Sequence, residues 1–345
     1  MKQLRCAVIG LGMGRHHVKA FHEHPHSTVV ALVDLDEKRL RDIGDLNQIP
    51  NRYHSTDELF ANESLDIVSI ATPNSLHKPV ALQAFAHGAH VFCEKPVALS
   101  AVEAEEMMAA AKEADRRLMI NFSYRFNPTS WALKQQVESG AIGDIYSGRS
   151  RWLRRDGMPG FGGWFGKKSL AGGGPLIDLG VHRLDLALWL IGYPKPKYVL
   201  ATTSNVLGKL KADAAQKEFD VEDFAAAQIT FENGSSLQLE ASWMGHIKEE
   251  TMETTLLGTK GGLSQNNIKG SYDFKSFVYT ESHGSKLDIE IKGGTHGPSS
   301  GMHHFVDCIV EERPHCATAA EGLLVMKLLD AIYLSADSGE PVKLR

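Results

Sequence analysis

The chain has no excess of basic charge. Its 37 Lys and Arg stand against 42 Asp and Glu, a formal net charge of −5. A nucleic-acid footprint needs a basic face, so this balance gives no case for one. No apolar run approaches the length of a membrane-spanning helix. The opening MKQLRCAVIG carries no long apolar segment with a small-residue cleavage site, which sets the expectation of a cytoplasmic protein. Cysteine is scarce: Cys6, Cys93, Cys308 and Cys316, with no Cys-x-x-Cys. That argues against a disulfide framework. Histidine is plentiful, and His16, His17, His22, His24 and His26 crowd one stretch. No thiolate or tight tetrahedral set accompanies them, so they read as helix-surface and turn residues, and no metal is expected. His303 and His304 read the same way.

What remains is ordinary globular material. The 345 residues are 43% hydrophobic, enough for a large core and a length that favours two domains. Up to about residue 120 the pattern alternates strand and helix. RCAVIG, TVVALVD, DIVSIAT, HVFCEK and LMINFSY read as strands, with helical stretches between them. Ser100 with Glu103 makes a capping box that opens one of these helices. This rhythm predicts a parallel sheet with helices on both faces. After about residue 125 strand-like runs follow one another without helices: IYSGRSRWL, YVLATTSN, FAAAQITF, SLQLEASW and METTLLG. They predict an antiparallel sheet. A long glycine-rich loop, 154–175, interrupts them and leads into an apolar helix, 176–191. A loop of that length inside a compact domain is usually functional. The expected division is 1–124 and 125–345.

The first strand ends in Gly10-Leu11-Gly12-Met13-Gly14-Arg15 and opens a helix. Glycine there lets the backbone approach a pyrophosphate, and the helix N-terminus offers free N–H groups and partial positive charge. The third glycine comes one residue earlier than in the usual GxGxxG spacing. Asp34 ends the second strand about 20 residues on, where a carboxylate hydrogen-bonds adenosine ribose hydroxyls and repels a 2′-phosphate. NAD is therefore favoured, although Arg15 and the Lys38–Arg39 pair leave NADP open. Thr72-Pro73-Asn74 ends the third apolar strand, at an edge where ligands sit in open parallel sheets.

Two further segments carry candidate chemistry. HVFCEK ends in Glu94-Lys95-Pro96. A lysine at that edge is a cation able to stabilise a developing alkoxide, and Pro96 is a candidate for a cis bond. In the apolar helix, Asp178, His182 and Asp185 share one face at spacings of four and three. A polar stripe on a buried helix is costly unless it is paired. Asp178 is read as orienting His182, His182 as a base for a hydroxyl proton, and Asp185 as a structural partner. The preceding Ala171-Gly-Gly-Gly174 suits backbone lying against a ligand.

With these segments in view, the chain resembles the glucose–fructose oxidoreductase, inositol dehydrogenase and rhizopine-catabolism family (Gfo/Idh/MocA). The resemblance covers nearly the whole chain. It rests on AVIGLGMGRHH, DIVSIATPNSLH, VFCEKPVALS, NFSYRFNP, GAIGDIYSGR, AGGGPLIDLGVHRLDLALWLIG and AIYLSADSGEPVKL. It implies an N-terminal Rossmann-type domain followed by a C-terminal α+β domain with a large, mostly antiparallel open sheet, which commonly makes dimer or tetramer contacts. It implies catalytic roles for Lys95, Asp178 and His182. It places Asn74, His77 and Asn121 near the nicotinamide, beside the cofactor candidates Gly10, Gly12, Met13, Gly14, Asp34, Thr72, Pro73, Glu94 and Lys95. Tyr124 and Arg125 match the segment entering the substrate domain. The loop WLRRDGMPGFGGWFGKK resembles members acting on pyranose rings. There Trp152, Trp164 and Phe165 are read as stacking on a sugar, and Arg154 and Arg155 as meeting hydroxyls or an anionic substituent.

The expected activity is NAD-dependent oxidation of a secondary hydroxyl on a sugar or polyol. Three alternatives stand beside it: net reduction of a keto or anhydro sugar with NAD(P)H, a glycosidase using NAD transiently, and a non-enzymatic NAD-binding sensor. Intact Lys95, Asp178 and His182 speak against the last.

Overall fold

The computed structural model describes residues 3–294 and 297–344. The chain forms two compact units, one of Met1–Phe122 with Pro298–Met326, the other of Ser123–Gly297 with Lys327–Arg345. The expectation of two consecutive segments leaves out the return of Pro298–Met326 to the first unit. The physical reason is an amphipathic helix, Gly301–Val310, that buries Met302, Phe305 and Val306. Phe305 packs on Phe92 with ring centroids 5.8 Å apart. His303 Nε2 lies 2.9 Å from the Ala20 carbonyl, and His24 Nε2 lies 3.0 Å from Asp307.

The first unit is built on β1 (Leu4–Ile9), β2 (Ser27–Val33), β3 (Asn51–Tyr53), β4 (Ile67–Ile70), β5 (His90–Cys93) and β6 (Leu118–Ile120). They form one sheet in the order β3-β2-β1-β4-β5-β6. Every pairing in it is parallel. Helices cover both faces of such a sheet, so its central strands are apolar on both sides; Val8, Ala31, Leu32, Ile67, Val68, Val91 and Phe92 are buried. The strand order reverses at β1/β4, and ligands in this architecture bind at that switch point, off the carboxyl ends of the strands.

The second unit holds β7 (Ile145–Leu153), β8 (Pro196–Ser204), β9 (Phe224–Phe231), β10 (Ser236–Ser242), β11 (Thr251–Gly258), β12 (Gly261–Asn267), β13 (Phe274–Ser282), β14 (Ser285–Ile291) and β15 (Val342–Lys343). Their order is β14-β13-β12-β11-β7-β10-β9-β8-β15. Among the described residues of this sheet only the β7–β10 pair is parallel. Residues alternate along these strands: in β9, Ala225, Ala227, Ile229 and Phe231 face inward, as expected of a sheet covered on one face. The covering layer includes helices Pro128–Glu138 and Val181–Ile191, whose Leu133, Leu186, Trp189 and Leu190 join Leu256, Leu263 and Val278 in one core cluster. Among the described residues no helix is long and apolar enough to cross a membrane, and the four cysteines form no disulfide.

Candidate functional site

In the first unit the sheet topology gathers the cofactor candidates on one edge. Gly10 follows β1, Asp34 follows β2, Thr72 follows β4, Glu94 and Lys95 follow β5, and Asn121 follows β6. Gly10 has φ +85°, and a Cβ there would stand 2.5 Å from the Ala71 carbonyl oxygen, so only glycine makes this turn. At Gly12 an added Cβ would meet nothing within 4 Å, leaving the backbone open to a ligand. Gly14 packs against Val8, 2.9 Å from where its Cβ would stand. The early third glycine thus still performs the close helix–strand packing such a glycine serves. Met13 beside it is exposed. Asp34 accepts the Leu11 amide at 2.6 Å and the Asp36 amide at 2.8 Å, tying the glycine turn to the end of β2.

Around Glu94 a buried network forms that the sequence did not reveal. His17 bridges Ser69 Oγ and Glu94 Oε1, each at 2.8 Å, and the Asn121 side chain donates to the same Oε1 at 2.7 Å. Burial by itself would raise the Glu94 pKa. The hydrogen bonds from His17 and Asn121 and the charge of Lys95 outweigh it and hold the carboxyl at about 2. His17 and His24 are buried, at 2% and 5% exposure, which corrects their reading as surface histidines. His77 is fully buried, with Nδ1 2.7 Å from the Pro96 carbonyl and Nε2 3.1 Å from the Thr72 carbonyl. Burial lowers its pKa, and a neutral imidazole has one N–H, so it donates to one of the two at a time. Lys95–Pro96 is a cis peptide bond.

In the second unit the stretch expected as one helix starts as a wide π turn, Leu176–Gly180, and continues as the α-helix Val181–Ile191. Such turns recur at functional sites. Along it every residue is buried except Asp178, His182 and the terminal Ile191, which are half-buried. Asp178 Oδ2 accepts the Trp243 indole N–H at 2.8 Å. The His182 ring meets Tyr124 edge-on, with centroids 5.1 Å apart, and lies 5.9 Å from Trp152. Arg183 is fully buried, its guanidinium 4.1 Å over the Tyr124 ring. Its side-chain nitrogens meet no hydrogen-bond partner among the described residues. Burial brings its pKa down to about 10, against the fields of Tyr124 and Asp185, so it stays charged at neutral pH.

Several expected substrate contacts are occupied by the protein itself. Arg125 is fully buried in a two-point pair with Asp185, Nε to Oδ2 at 2.9 Å and Nη2 to Oδ1 at 2.5 Å, and also meets the Tyr193 hydroxyl. The expectation of Arg125 at the substrate is corrected, and Asp185 has its structural partner. Trp152 is 4% exposed and donates to Glu250 at 2.6 Å. It is a wall of the site, not an open stacking platform. Arg154 spans Glu250, the Gly157 carbonyl and the Tyr272 hydroxyl, and Arg155 donates to the Lys248 carbonyl. Trp164 stacks on Phe165 at 3.9 Å. Glu250, Tyr272 and Trp243 are the residues sequence reasoning missed. The glycine run is corrected too: a Cβ at Gly173 would stand 1.9 Å from the Tyr333 hydroxyl, and at Gly174 1.9 Å from the Glu222 carbonyl oxygen. Those glycines admit protein groups.

Residues 4–122 match the oxidoreductase family with an NAD-binding Rossmann fold, and residues 131–264 match the Gfo/Idh/MocA C-terminal domain. The chain belongs to the Gfo/Idh/MocA oxidoreductase family. Among curated family members, D-glucoside 3-dehydrogenase of Escherichia coli (strain K12) is 31% identical, over 99% of this chain and 97% of its own. Aldose-aldose oxidoreductase of Caulobacter crescentus, solved with glycerol, superposes with a TM-score of 0.84 at 29% identity, over 99% of this chain and 100% of its own. Levoglucosan dehydrogenase in complex with NADH and levoglucosan gives 0.87 at 25% identity, over 99% of each chain.

The first unit fits the cofactor of this family. The backbone at Gly12 is open, and Thr72 Oγ1 at the β4 edge is buried without a hydrogen-bond partner among the described residues. A buried hydroxyl left unpaired at a ligand-binding edge is a donor or acceptor held for a ligand. NAD is the cofactor of the first unit.

Proposed function

We propose that the chain oxidises a secondary hydroxyl of a sugar, polyol or sugar derivative to the ketone with NAD. The observation that carries this reading is the exposure pattern of helix 176–191, which is buried along its length except at Asp178, His182 and the terminal Ile191. A carboxylate and an imidazole left accessible on an otherwise buried helix mark a candidate site of action. The relatives named above act on a glucoside, on aldoses and on levoglucosan, which supports a carbohydrate substrate.

NAD, when bound, supplies the hydride acceptor. The protein's own groups handle charge and proton. His182 takes the hydroxyl proton as general base. Asp178, held by the Trp243 indole, stabilises the imidazolium that results. The Lys95 ammonium stabilises the alkoxide as it develops. Gly10, Gly12, Met13 and Gly14 receive the pyrophosphate, and Asp34 takes the adenosine ribose hydroxyls. Thr72, Pro73 and Asn74 line the same edge, with His77, Glu94 and Asn121 holding it in shape. Tyr124, Trp152, Arg154 and Trp164 shape the sugar pocket. The protein works in the cytoplasm as a homodimer or homotetramer, assembled through the uncovered face of the β7–β15 sheet.

The test is NADH absorbance with a panel of pyranoses, glycosides, anhydrosugars and inositols. Lys95→Ala and His182→Ala should each lower turnover by ~100-fold or more and leave NADH binding, followed by fluorescence, unchanged. Turnover like that of the unmodified protein in either variant overturns the assignment of that residue.

A further inference from the structure

Helix 176–191 has no side-chain cap of its own at its N-terminus. Pro175 precedes it and supplies no side-chain acceptor, yet the first amides of any helix need one. The acceptor comes from far along the chain. Glu222, just before β9, takes the Gly174 amide on Oε2 at 2.8 Å and the Leu176 amide on Oε1 at 3.0 Å. Tyr333, on the helix Ala319–Ser338, donates its hydroxyl to Oε1 at 2.9 Å. Glu222 is 8% exposed. Gly174 in turn holds the candidate catalytic turn, because its carbonyl accepts the amides of Ile177 and Asp178 at 3.1 and 3.0 Å. One residue is therefore gripped at both ends, by Glu222 at its N–H and by the amide of Asp178 at its carbonyl.

The fit is close. A side chain at Gly174 would collide with Glu222, and one at Gly173 with Tyr333. Burial raises the Glu222 pKa, while the two backbone donors and the Tyr333 hydroxyl pull it back. An ionised carboxylate is a pure acceptor with two oxygens, so it can serve three donors without any N–H facing N–H. A glutamine in its place would turn an amide group toward one of them.

We propose that Glu222, seated by Tyr333, is a positioning residue for the hydride-transfer step: it fixes the π turn that aims Asp178 and, four residues on, His182. The proposal rests on the catalytic reading of that pair. Positioning of this kind is expensive to lose, since a shift of about 1 Å costs on the order of 100-fold in rate.

The experiment compares Glu222→Gln, Tyr333→Phe and His182→Ala in one assay, with substrate carrying hydrogen or deuterium at the oxidised carbon. Glu222→Gln should lower kcat by ~30- to 100-fold and Tyr333→Phe by a smaller factor. In both, the KM for the sugar and the NADH dissociation constant should stay near the original. The deuterium isotope effect on kcat should rise, because the hydride step becomes limiting. A purely structural role would lower the active fraction and leave the isotope effect alone, and that result overturns the proposal. So does a kcat near the original in both variants when His182→Ala is inactive. If His182→Ala itself turns over normally, it is the catalytic reading that fails. Where circular dichroism shows that Glu222→Gln does not fold, the isotope effect in Tyr333→Phe decides.

Discussion

Glu94 illustrates what neighbours do to one carboxyl group. Its motif position beside Lys95 was legible in EKP; its charge state was decided by His17, from the helix Leu11–Glu23, and Asn121, from the end of β6. The group titrates at about 2 in the fold against a usual value near 4.5. A depressed carboxyl pKa stabilises the folded state above the ordinary value, and that stability is lost as pH falls toward the folded one. The difference corresponds to about 3 kcal/mol. Urea unfolding between pH 5 and pH 3 should show stability falling with pH, and Glu94→Gln should flatten that slope; equal slopes would show that the network does not hold the charge. Asp34 makes a second residue-scale prediction. Asp34→Ser removes the carboxylate proposed to meet the ribose hydroxyls and should shift the NAD/NADP ratio of kcat/KM toward NADP. An unchanged ratio contradicts its ribose role.

Among the elements, the glycine turn and its helix, Leu11–Glu23, separate folding from binding within three residues. Gly10 is required by its positive φ and by the Ala71 carbonyl behind it, whereas Gly12 faces open space. Gly10→Ala should destabilise the fold by about 1–3 kcal/mol, read from urea unfolding. Gly12→Ala should unfold like the unmodified protein and weaken NADH binding by ~10-fold or more, the equivalent of about 1.4 kcal/mol. The order of these two effects was not readable from GLGMG, because it depends on which strand end stands behind each Cα. Helix 176–191 was legible as an element, and its Asp178/His182 stripe as a candidate, since both follow from spacing. Its start was not. The residues that complete it, Glu222 and Tyr333, lie 46 and 157 positions beyond Leu176, and no local pattern links them.

For the molecule as a whole, one large surface remains to be explained. The β7–β15 sheet is covered by helices on one side, and on the other Tyr198, Leu200, Leu257 and Tyr279 are exposed. Exposed apolar side chains gathered on one sheet face mark an interaction surface. In the proposed dimer or tetramer, Leu200→Glu should shift the mass toward monomer in light scattering coupled to gel filtration, while NADH binding by the first unit persists. An unchanged mass would remove this face from the assembly.

The sequence by itself determined the alternating strands and helices of the first unit, the run of strands in the second, and the strand-end and helix-face positions of Lys95, Asp178 and His182. Those are consequences of local periodicity and local turn chemistry, and they need no knowledge of distant neighbours. The tertiary structure alone decided that Arg125 is sealed against Asp185, that Trp152 is a wall, that the glycine run admits Glu222 and Tyr333, and that Pro298–Met326 joins the first unit. The exposed hairpin β13–β14, polar along most of its length, also needed the sheet beside it to be recognised. Each of these depends on pairing between residues far apart in the chain, where burial and hydrogen-bond partners are fixed only once the chain has packed.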